Sequence, residues 1–387
     1  MSNFLDSTDW SFPIPIHYGP GRLKELAELC KVNEINRPLI VTDSGSKNLP
    51  FIKQSQDILN SANLKTDLFS GISPNPLDTE IQIGKAVFED GNHDAVIAIG
   101  GGSGMDGGKA ISLIATNQFS LWDFDNDKPE VKDIKKFPPL ICIPTTSGTG
   151  AETESTAMVT HSDLGMKLCV WHPNQKPVAA LLDPNLTLDL PPNLTAWTGV
   201  DALVHAIESY TVDSLYSVAD GMALEALTLI GRYLKKTVNF PHDLEARGGM
   251  LLGSCLAGIS FKKGLGLVHA ISHMIGALYD SQHGLTNAIL LPPILRFNKE
   301  TIKNKTKIMN FVTFSKPEGY QSFYNNICNL LDDLEINKGL ESLGVTSDKV
   351  EELAIKASKD AAAKTNPREA TVSQLKTIIL KSLENAR

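Results

Sequence analysis

The sequence predicts an α/β domain followed by an all-helical domain, and three observations carry that expectation. Up to residue 183, short apolar runs of strand length alternate with amphipathic stretches of helical period. The strongest of these runs, DAVIAIG at 94–100, passes directly into a glycine turn and a helix at 100–115. After the double proline Pro191–Pro192 the strand-like runs stop, and helical periodicity takes over to the C-terminus. Alternating strand and helix indicates a sheet covered by helices. The expected division is 1–190 for the α/β domain and 191–387 for the helical one. Such a pair would leave a cleft between domains, a favoured place for a ligand.

Each element has its own reason. PIPIHYG (13–19) reads as a first strand and PGRLKELAELC (20–30) as an amphipathic helix opened by proline. PLIVTD (38–43) is a fully apolar run closed by an acid, the pattern of a buried parallel strand. LKTDLFS (64–70) is a strand before the turn-rich GISPNP, and DTEIQIGKAVFEDGN (78–92) is a helix. The strands at 94–100 and in LICIPTTSGTGAE (140–152) each run into a loop of small residues. MKLCVWH (166–172) and VAALLD (178–183) are two more strands. Helices are expected over 194–211, 215–237, 243–261, 266–279, 285–298, 320–335, 347–362 and 370–386.

Bulk properties narrow the function. With 387 residues the chain exceeds one small core. Apolar content of 42% and charged content of 21% are those of an ordinary globular protein. A net charge of −8 without a basic block argues against nucleic acid and against a polybasic membrane anchor. The N-terminal stretch lacks the pattern of a secretory signal, and no apolar run reaches the ~20 residues of a membrane-spanning helix. The five cysteines are scattered and show no CxxC pair. They read as reduced thiols of a cytoplasmic protein.

Two loops look built for a nucleotide. GGGSGMDGGK (100–109) puts three glycines and Ser103 where a buried strand meets a helix. Backbone N–H groups at such a turn, with a helix N-terminus behind them, suit a pyrophosphate. A tight bend with no ligand is the plainer role of a glycine turn, but the strand and the serine favour phosphate. The stretch is not GxGxxG, and no strand-ending acid follows about 20 residues later, as the usual dinucleotide fold requires. The candidate to read a ribose is Asp43, which precedes the glycines. PTTSGTGAE (144–152) repeats the strand-to-loop arrangement with hydroxyls from Thr145, Thr146, Ser147 and Thr149; Gly148 and Gly150 permit close backbone approach. Asp106 and Lys109, one turn apart, form an ion pair or turn Asp106 toward cofactor hydroxyls.

The histidines point to a metal. GVDALVHAIESY (199–210) holds Asp201 and His205, and the stretch from 264 to 292 holds His269, His273 and His283. Residues four apart share a helix face. Asp201 and His205 therefore address one point, and so do His269 and His273. A carboxylate with two or three imidazoles is a divalent transition-metal site. Glu208 flanks that helix, either supporting a ligand or facing solvent. His17, His93, His161, His172 and His242 read as surface or turn residues.

In this order and at these separations, GGGSGMDGGK, PTTSGTGAE, GVDALVHAIESY and HAISHMIGALYDSQHGLTNAILLP resemble the iron-activated (group III) metal-dependent alcohol dehydrogenases. KTNPR at 364–368 resembles that family's C-terminal stretch, and the resemblance covers nearly the whole chain. It implies a dehydroquinate-synthase-like, Rossmann-type NAD-binding domain, a helical metal domain, and reversible NAD-linked oxidation of an alcohol to an aldehyde or ketone. It implies Asp201, His205, His269 and His283 as ligands of Fe²⁺ or Zn²⁺, which acts as a Lewis acid. His273 is then the non-ligand histidine near the nicotinamide, a candidate for proton relay. Gly101, Gly102 and Ser103 correspond to the pyrophosphate site, and Thr145, Thr146 and Thr149 to the phosphate and nicotinamide end. Asp43 matches the acid that repels a 2′-phosphate and so favours NAD over NADP. Asn75, Thr156, Lys167 and Thr187 fall at further cofactor positions. Glu154 departs from the pattern, since many relatives carry something smaller there. The family implies a homodimer or larger homo-oligomer and a small alcohol or aldehyde substrate. A polyol or hydroxy-acid dehydrogenase of the same superfamily is the nearest rival reading. A non-catalytic metal- or NAD-binding protein is the rival from another class.

Overall fold

The computed structural model describes residues 14–385. The first position of the 13–19 run and the last of the 370–386 run lie outside them. The chain forms two compact units. One runs to Thr146 and resumes at Ala151–Asp189; the other holds Ser147–Gly150 and the chain from Leu190 onward.

The first unit is built on strands β1 (Ile16–Tyr18), β2 (Pro38–Asp43), β3 (Asp67–Ile72), β4 (Ala95–Gly100), β5 (Leu140–Pro144), β6 (Thr156–His161), β7 (Met166–Trp171) and β8 (Ala179–Leu182). Six of them form one sheet in the order β1-β8-β5-β4-β2-β3, with every pairing parallel. Alternation along each strand splits its side chains between two cores. Leu39, Val41, Val96, Ala98, Leu140 and Cys142 face one core, which takes Ile81 and Phe88 from α3 (Asp78–Asp90) and Ile111 and Ile114 from α4 (Gly102–Ala115). Ile40, Ile97, Ile99, Ile141 and Ile143 face the other, which takes Leu26 and Leu29 from α1 (Leu26–Val32) and Phe51, Ile52 and Leu59 from α2 (Pro50–Ser61). Strands buried on both faces carry near-continuous apolar runs, which is why they stand out in the sequence.

The strand order fixes where a ligand can enter. From β2 the chain moves outward to β3; from β4 it moves the other way to β5. The switch point therefore lies between β2 and β4, and open α/β sheets bind ligands beyond the carboxyl ends of their strands at such a point. Asp43 ends β2 and Gly100 ends β4.

Several expectations need correction. The segment 44–63 carried no expected element, yet α2 occupies most of it. The strand expected at 166–172 forms as β7, but its partner β6 carried no expected element; the two pair antiparallel as a separate ribbon. Two histidines read as surface or turn residues are buried. His93 lies 3.2 Å from Asp67 Oδ2 with Nδ1 3.0 Å from Arg37 O. His172 packs edge-on against Phe124 and Phe137.

The second unit is helical: α5 (Pro192–Thr211), α6 (Ser217–Asn239), α7 (Leu244–Ser260), α8 (Leu267–Tyr279), α9 (His283–Phe314), α10 (Tyr320–Asp333), α11 (Val350–Ala357) and α12 (Val372–Leu383). Residues Leu267 to Gly276 of α8 are all buried, and α5 is buried over most of its length. Helices that are apolar all round lie inside a bundle rather than on its surface. Helix α9 runs unbroken through Pro292 and Pro293 and continues sixteen residues past the expected end at 298. Ile302, Thr306 and Met309 keep one narrow stripe buried along that extension. Among the described residues no single helix is long and apolar enough to cross a membrane.

Candidate metal centre and nucleotide-binding edge

Helix α5 carries Asp201, His205 and Glu208 on one face, α8 carries His269 and His273, and His283 is the first residue of α9. The α8–α9 turn is set by Asp280 in the left-handed conformation and by Gln282, whose side chain accepts from Leu285 N. A close approach seats α9 on α5: a Cβ on Gly284 would stand 2.2 Å from Trp197 O and 3.3 Å from Asp201 Cβ. Only glycine lets His283 reach the acid.

The four side chains converge. Asp201 Oδ1 lies 3.9 Å from His205 Nε2, 3.6 Å from His269 Nε2 and 3.7 Å from His283 Nε2. Ligand atoms of Asp201, His205 and His269 all fall within 4.8 Å of one another. A tetrahedral centre with bonds of about 2.1 Å would hold its donors about 3.4 Å apart, close to the spacing observed. The rings are tied at the opposite nitrogen. His269 Nδ1 meets Glu208 Oε2 at 2.7 Å, and His283 Nδ1 lies 3.0 Å from Ser272 Oγ. This leaves both Nε2 atoms turned inward.

The electrostatics favour a cation. Burial works against charge on His269, but the carboxylates of Asp201 and Glu208 beside it outweigh that and push the ring up to about 9. His205 is pushed down to about 4, chiefly by burial, so its ring stays neutral. Burial alone would raise the Asp201 carboxyl; the surrounding imidazoles of His205, His283 and His269 hold it well below the usual range. One buried carboxylate oxygen and three imidazole nitrogens, in a field that attracts positive charge, fit a divalent transition metal.

Asn287, one turn into α9, stands against this donor set. Its Nδ2 donates to Asp201 Oδ1 at 2.7 Å and lies 3.2 and 3.1 Å from Nε2 of His269 and His283, while its Oδ1 is buried with no partner. His273 is close by, its ring stacked 5.5 Å from that of His283. Its Nδ1 meets Asp360 Oδ2 at 3.0 Å, and Asp360 also caps the short turn Ala361–Thr365. Asn287 and Asp360 were missed in the sequence. Asn287 had a signal, the four-residue step from His283. Asp360, 87 positions from His273, had none.

The nucleotide candidates belong mostly to the first unit. Asp43 accepts from Ser46 N, and its Oδ2 lies 3.0 Å from where a Cβ on Gly100 would stand. Gly101 precedes α4 and Gly102 opens it; Ser103 Oγ donates to Pro74 O. Thr145 N donates to Gly100 O, and a Cβ on Gly101 would touch Thr146 Cγ2 at 3.4 Å. Asp43, Gly101, Gly102, Ser103, Thr145 and Thr146 thus share the carboxyl edge of the sheet at β2, β4 and β5. Asn75 and Lys167 form a buried pair, Nζ to Oδ1 at 3.1 Å. Asp106 lies 3.9 Å from Lys109 Nζ, which donates to Thr156 O. Thr156 Oγ1 donates to Glu154 Oε1, so Glu154 is buried rather than facing solvent. Thr187 is fully buried, its hydroxyl donating to Pro184 O. Thr149 falls in the Ser147–Gly150 stretch of the helical unit, where Gly150 packs on α7 rather than holding an open approach to a ligand.

Comparison with known proteins agrees with this geometry. Residues 13–184 match the family model described as iron-containing alcohol dehydrogenase. Residues 195–383 match the C-terminal model of the Fe-containing alcohol dehydrogenase family. The chain is 34% identical over 384 residues to the NAD-dependent methanol dehydrogenase of Bacillus methanolicus, covering 97% of this chain and 100% of the relative. It is 32% identical over 379 residues to the 1,3-propanediol dehydrogenase of Klebsiella pneumoniae, covering 96% and 97%. The crystal structure of a 1,3-propanediol oxidoreductase superposes with a TM-score of 0.92 at 31% identity, over 97% of this chain and 100% of that one.

Proposed function

The chain belongs to the iron-containing alcohol dehydrogenase family, and we propose that Asp201, His205, His269 and His283 hold the single divalent metal of its NAD-linked reaction. The observation that carries this reading is the convergence of three imidazole Nε2 atoms on Asp201 Oδ1 at 3.6, 3.7 and 3.9 Å. When bound, the metal supplies a Lewis acid for the substrate oxygen and NAD supplies the hydride acceptor. The reaction is the reversible oxidation of an alcohol to its aldehyde or ketone.

The chain's own residues do the rest. With a divalent metal held there, three neutral imidazoles and one carboxylate would leave a net charge of +1, which would ease the build-up of negative charge on the substrate oxygen. The family resemblance makes His273 the group that takes up the alcohol proton. Asp360 accepts from its Nδ1, which leaves Nε2 with the lone pair. At the sheet edge, Gly101, Gly102 and Ser103 present backbone N–H groups and the N-terminus of α4 to a pyrophosphate. Thr145, Thr146 and Thr149 line the phosphate and nicotinamide end. Asp43 reads the ribose, and its carboxylate disfavours a 2′-phosphate. Asn75, Asp106, Thr156, Lys167 and Thr187 are further cofactor positions. The location of Asp43 and Gly100 at the strand-order switch supports the ribose and pyrophosphate assignments.

We assign small alcohols and their aldehydes as substrates, in keeping with relatives named for methanol and 1,3-propanediol. Scattered cysteines without a CxxC pair suit a reducing cytoplasm; burial pushes Cys30 and Cys142 up to about 12. A homodimer or larger assembly follows from the family resemblance and is read by light scattering. The direct test removes metal with a chelator and follows NADH absorbance with a panel of small alcohols. Turnover should vanish and return with Fe²⁺ or Zn²⁺. Full activity of the stripped protein would exclude this reading.

A further inference from the structure

Glu208 is buried beside the metal ligands. We infer that its carboxylate is a positioning residue with two duties: it starts α8, and it fixes which nitrogen of His269 is offered to the metal. This rests on the metal reading above.

Helix α8 has no capping side chain of its own, because Gly266 occupies its N-cap. The first N–H groups of a buried helix need acceptors from elsewhere. Glu208, on α5, supplies two: Oε2 accepts from Gly266 N at 2.9 Å and Oε1 from Val268 N at 2.8 Å. Between them, Leu267 N donates to Asn366 Oδ1 at 3.2 Å. The fit leaves no room for a side chain at Gly266, where a Cβ would stand 2.7 Å from Glu208 Oε1 and 2.8 Å from Asn366 Oδ1.

The same Oε2 meets His269 Nδ1 at 2.7 Å. An ionised carboxylate has no proton to give, so His269 must donate from Nδ1. In the neutral ring that a metal requires, Nε2 then carries the lone pair, on the side of Asp201, 3.6 Å from its Oδ1. A carboxylate behind a metal-ligating imidazole fixes the ring and raises its basicity. The start of α8 and the readiness of its ligand thus depend on one group. Asn366 shares only the first duty, since it caps α8 without touching an imidazole.

That difference gives the test. A glutamine at 208 has one acceptor and one donor end. With its NH₂ toward His269 it forces the lone pair onto Nδ1. With its NH₂ toward Val268 it leaves a neutral, weaker acceptor behind the ring. The full chain is stripped by chelation and titrated with Zn²⁺ against a chromophoric chelator, and thermal unfolding is measured without metal. Glu208→Gln should weaken Zn²⁺ binding by about 10–100-fold. Asn366→Ala should lower the metal-free Tm and leave Zn²⁺ affinity unchanged. Parental Zn²⁺ affinity in Glu208→Gln, whatever its Tm, would reduce Glu208 to a helix cap and overturn the inference. If Glu208→Gln does not fold, ring ¹⁵N spectra of the zinc-loaded parent decide. A proton on Nδ1 of His269 supports the inference, and one on Nε2 overturns it. A parent that binds no Zn²⁺ overturns the metal reading together with this one, whereas equal binding by parent and variant overturns this one alone.

Discussion

Replacing Glu152 with glutamine probes a buried carboxyl of the first unit. Glu152 sits in the short turn Ala151–Thr153, is 1% exposed, and its Oε1 has no hydrogen-bond partner. Burial pushes its carboxyl up from 4.5 to about 7, against the opposing pull of its own backbone N–H and of Lys109. The buried Lys109 is engaged elsewhere: its Nζ donates to Thr156 O. An acid raised in this way holds its proton more tightly in the folded chain than in the unfolded one. Its contribution to stability is full below about pH 4.5 and is lost as pH rises through about 7. The rise corresponds to ~3 kcal/mol. Glu152→Gln has no proton to lose, so its stability relative to the parent should increase by ~3 kcal/mol between about pH 4.5 and about pH 8. Urea unfolding of both proteins in matched buffers measures that difference and cancels every other titrating group. A gap independent of pH would refute the reasoning. So would a variant that becomes the weaker protein at high pH, because Glu152 would then be ionised and paired with Lys109.

Asp43→Gly should raise kcat/KM with NADP relative to NAD; an unaltered ratio would reject Asp43 as the group that reads the ribose. Gly150→Ala should destabilise the fold by ~1–3 kcal/mol or more. Gly150 has a φ of +60°, and a Cβ there would stand 2.5 Å from Gly258 Cα; a parental melting temperature would contradict the packing described. Asp360→Ala removes the acceptor at His273 Nδ1 and should lower kcat by roughly tenfold or more with metal content unchanged. Parental kcat would remove His273 and Asp360 from proton transfer.

Much of this was legible in the sequence, for reasons visible in particular elements. β2, β4, β5 and β8 are buried on both faces, so each shows as an unbroken apolar run. Asp201 with His205, and His269 with His273, repeat at the step of one helical turn and so reveal a shared target. The misses follow the opposite logic. Helix α2 is the exception: behind Pro50, Phe51, Ile52, Ser55 and Leu59 recur at helical spacing, so its period was legible and was passed over. β6 mixes polar and apolar residues and lies outside the main sheet, in a ribbon with β7. The second half of α9 buries only a narrow stripe among polar residues, so the expected helix stopped at 298. His93 and His172 looked peripheral because a lone histidine carries no sign of the partners that bury it. Asp360 and Asn366 come from more than 80 positions beyond the groups they serve, and only folding brings them there.

The central claim is that one metal sits among Asp201, His205, His269 and His283. Anomalous diffraction at the metal edge, from crystals of protein loaded with Fe²⁺ or Zn²⁺, tests it most directly. One peak per chain is expected, about 2.0–2.2 Å from Asp201 Oδ1 and from Nε2 of the three histidines. A peak elsewhere in the chain, or none at these atoms in fully active crystals, would contradict it.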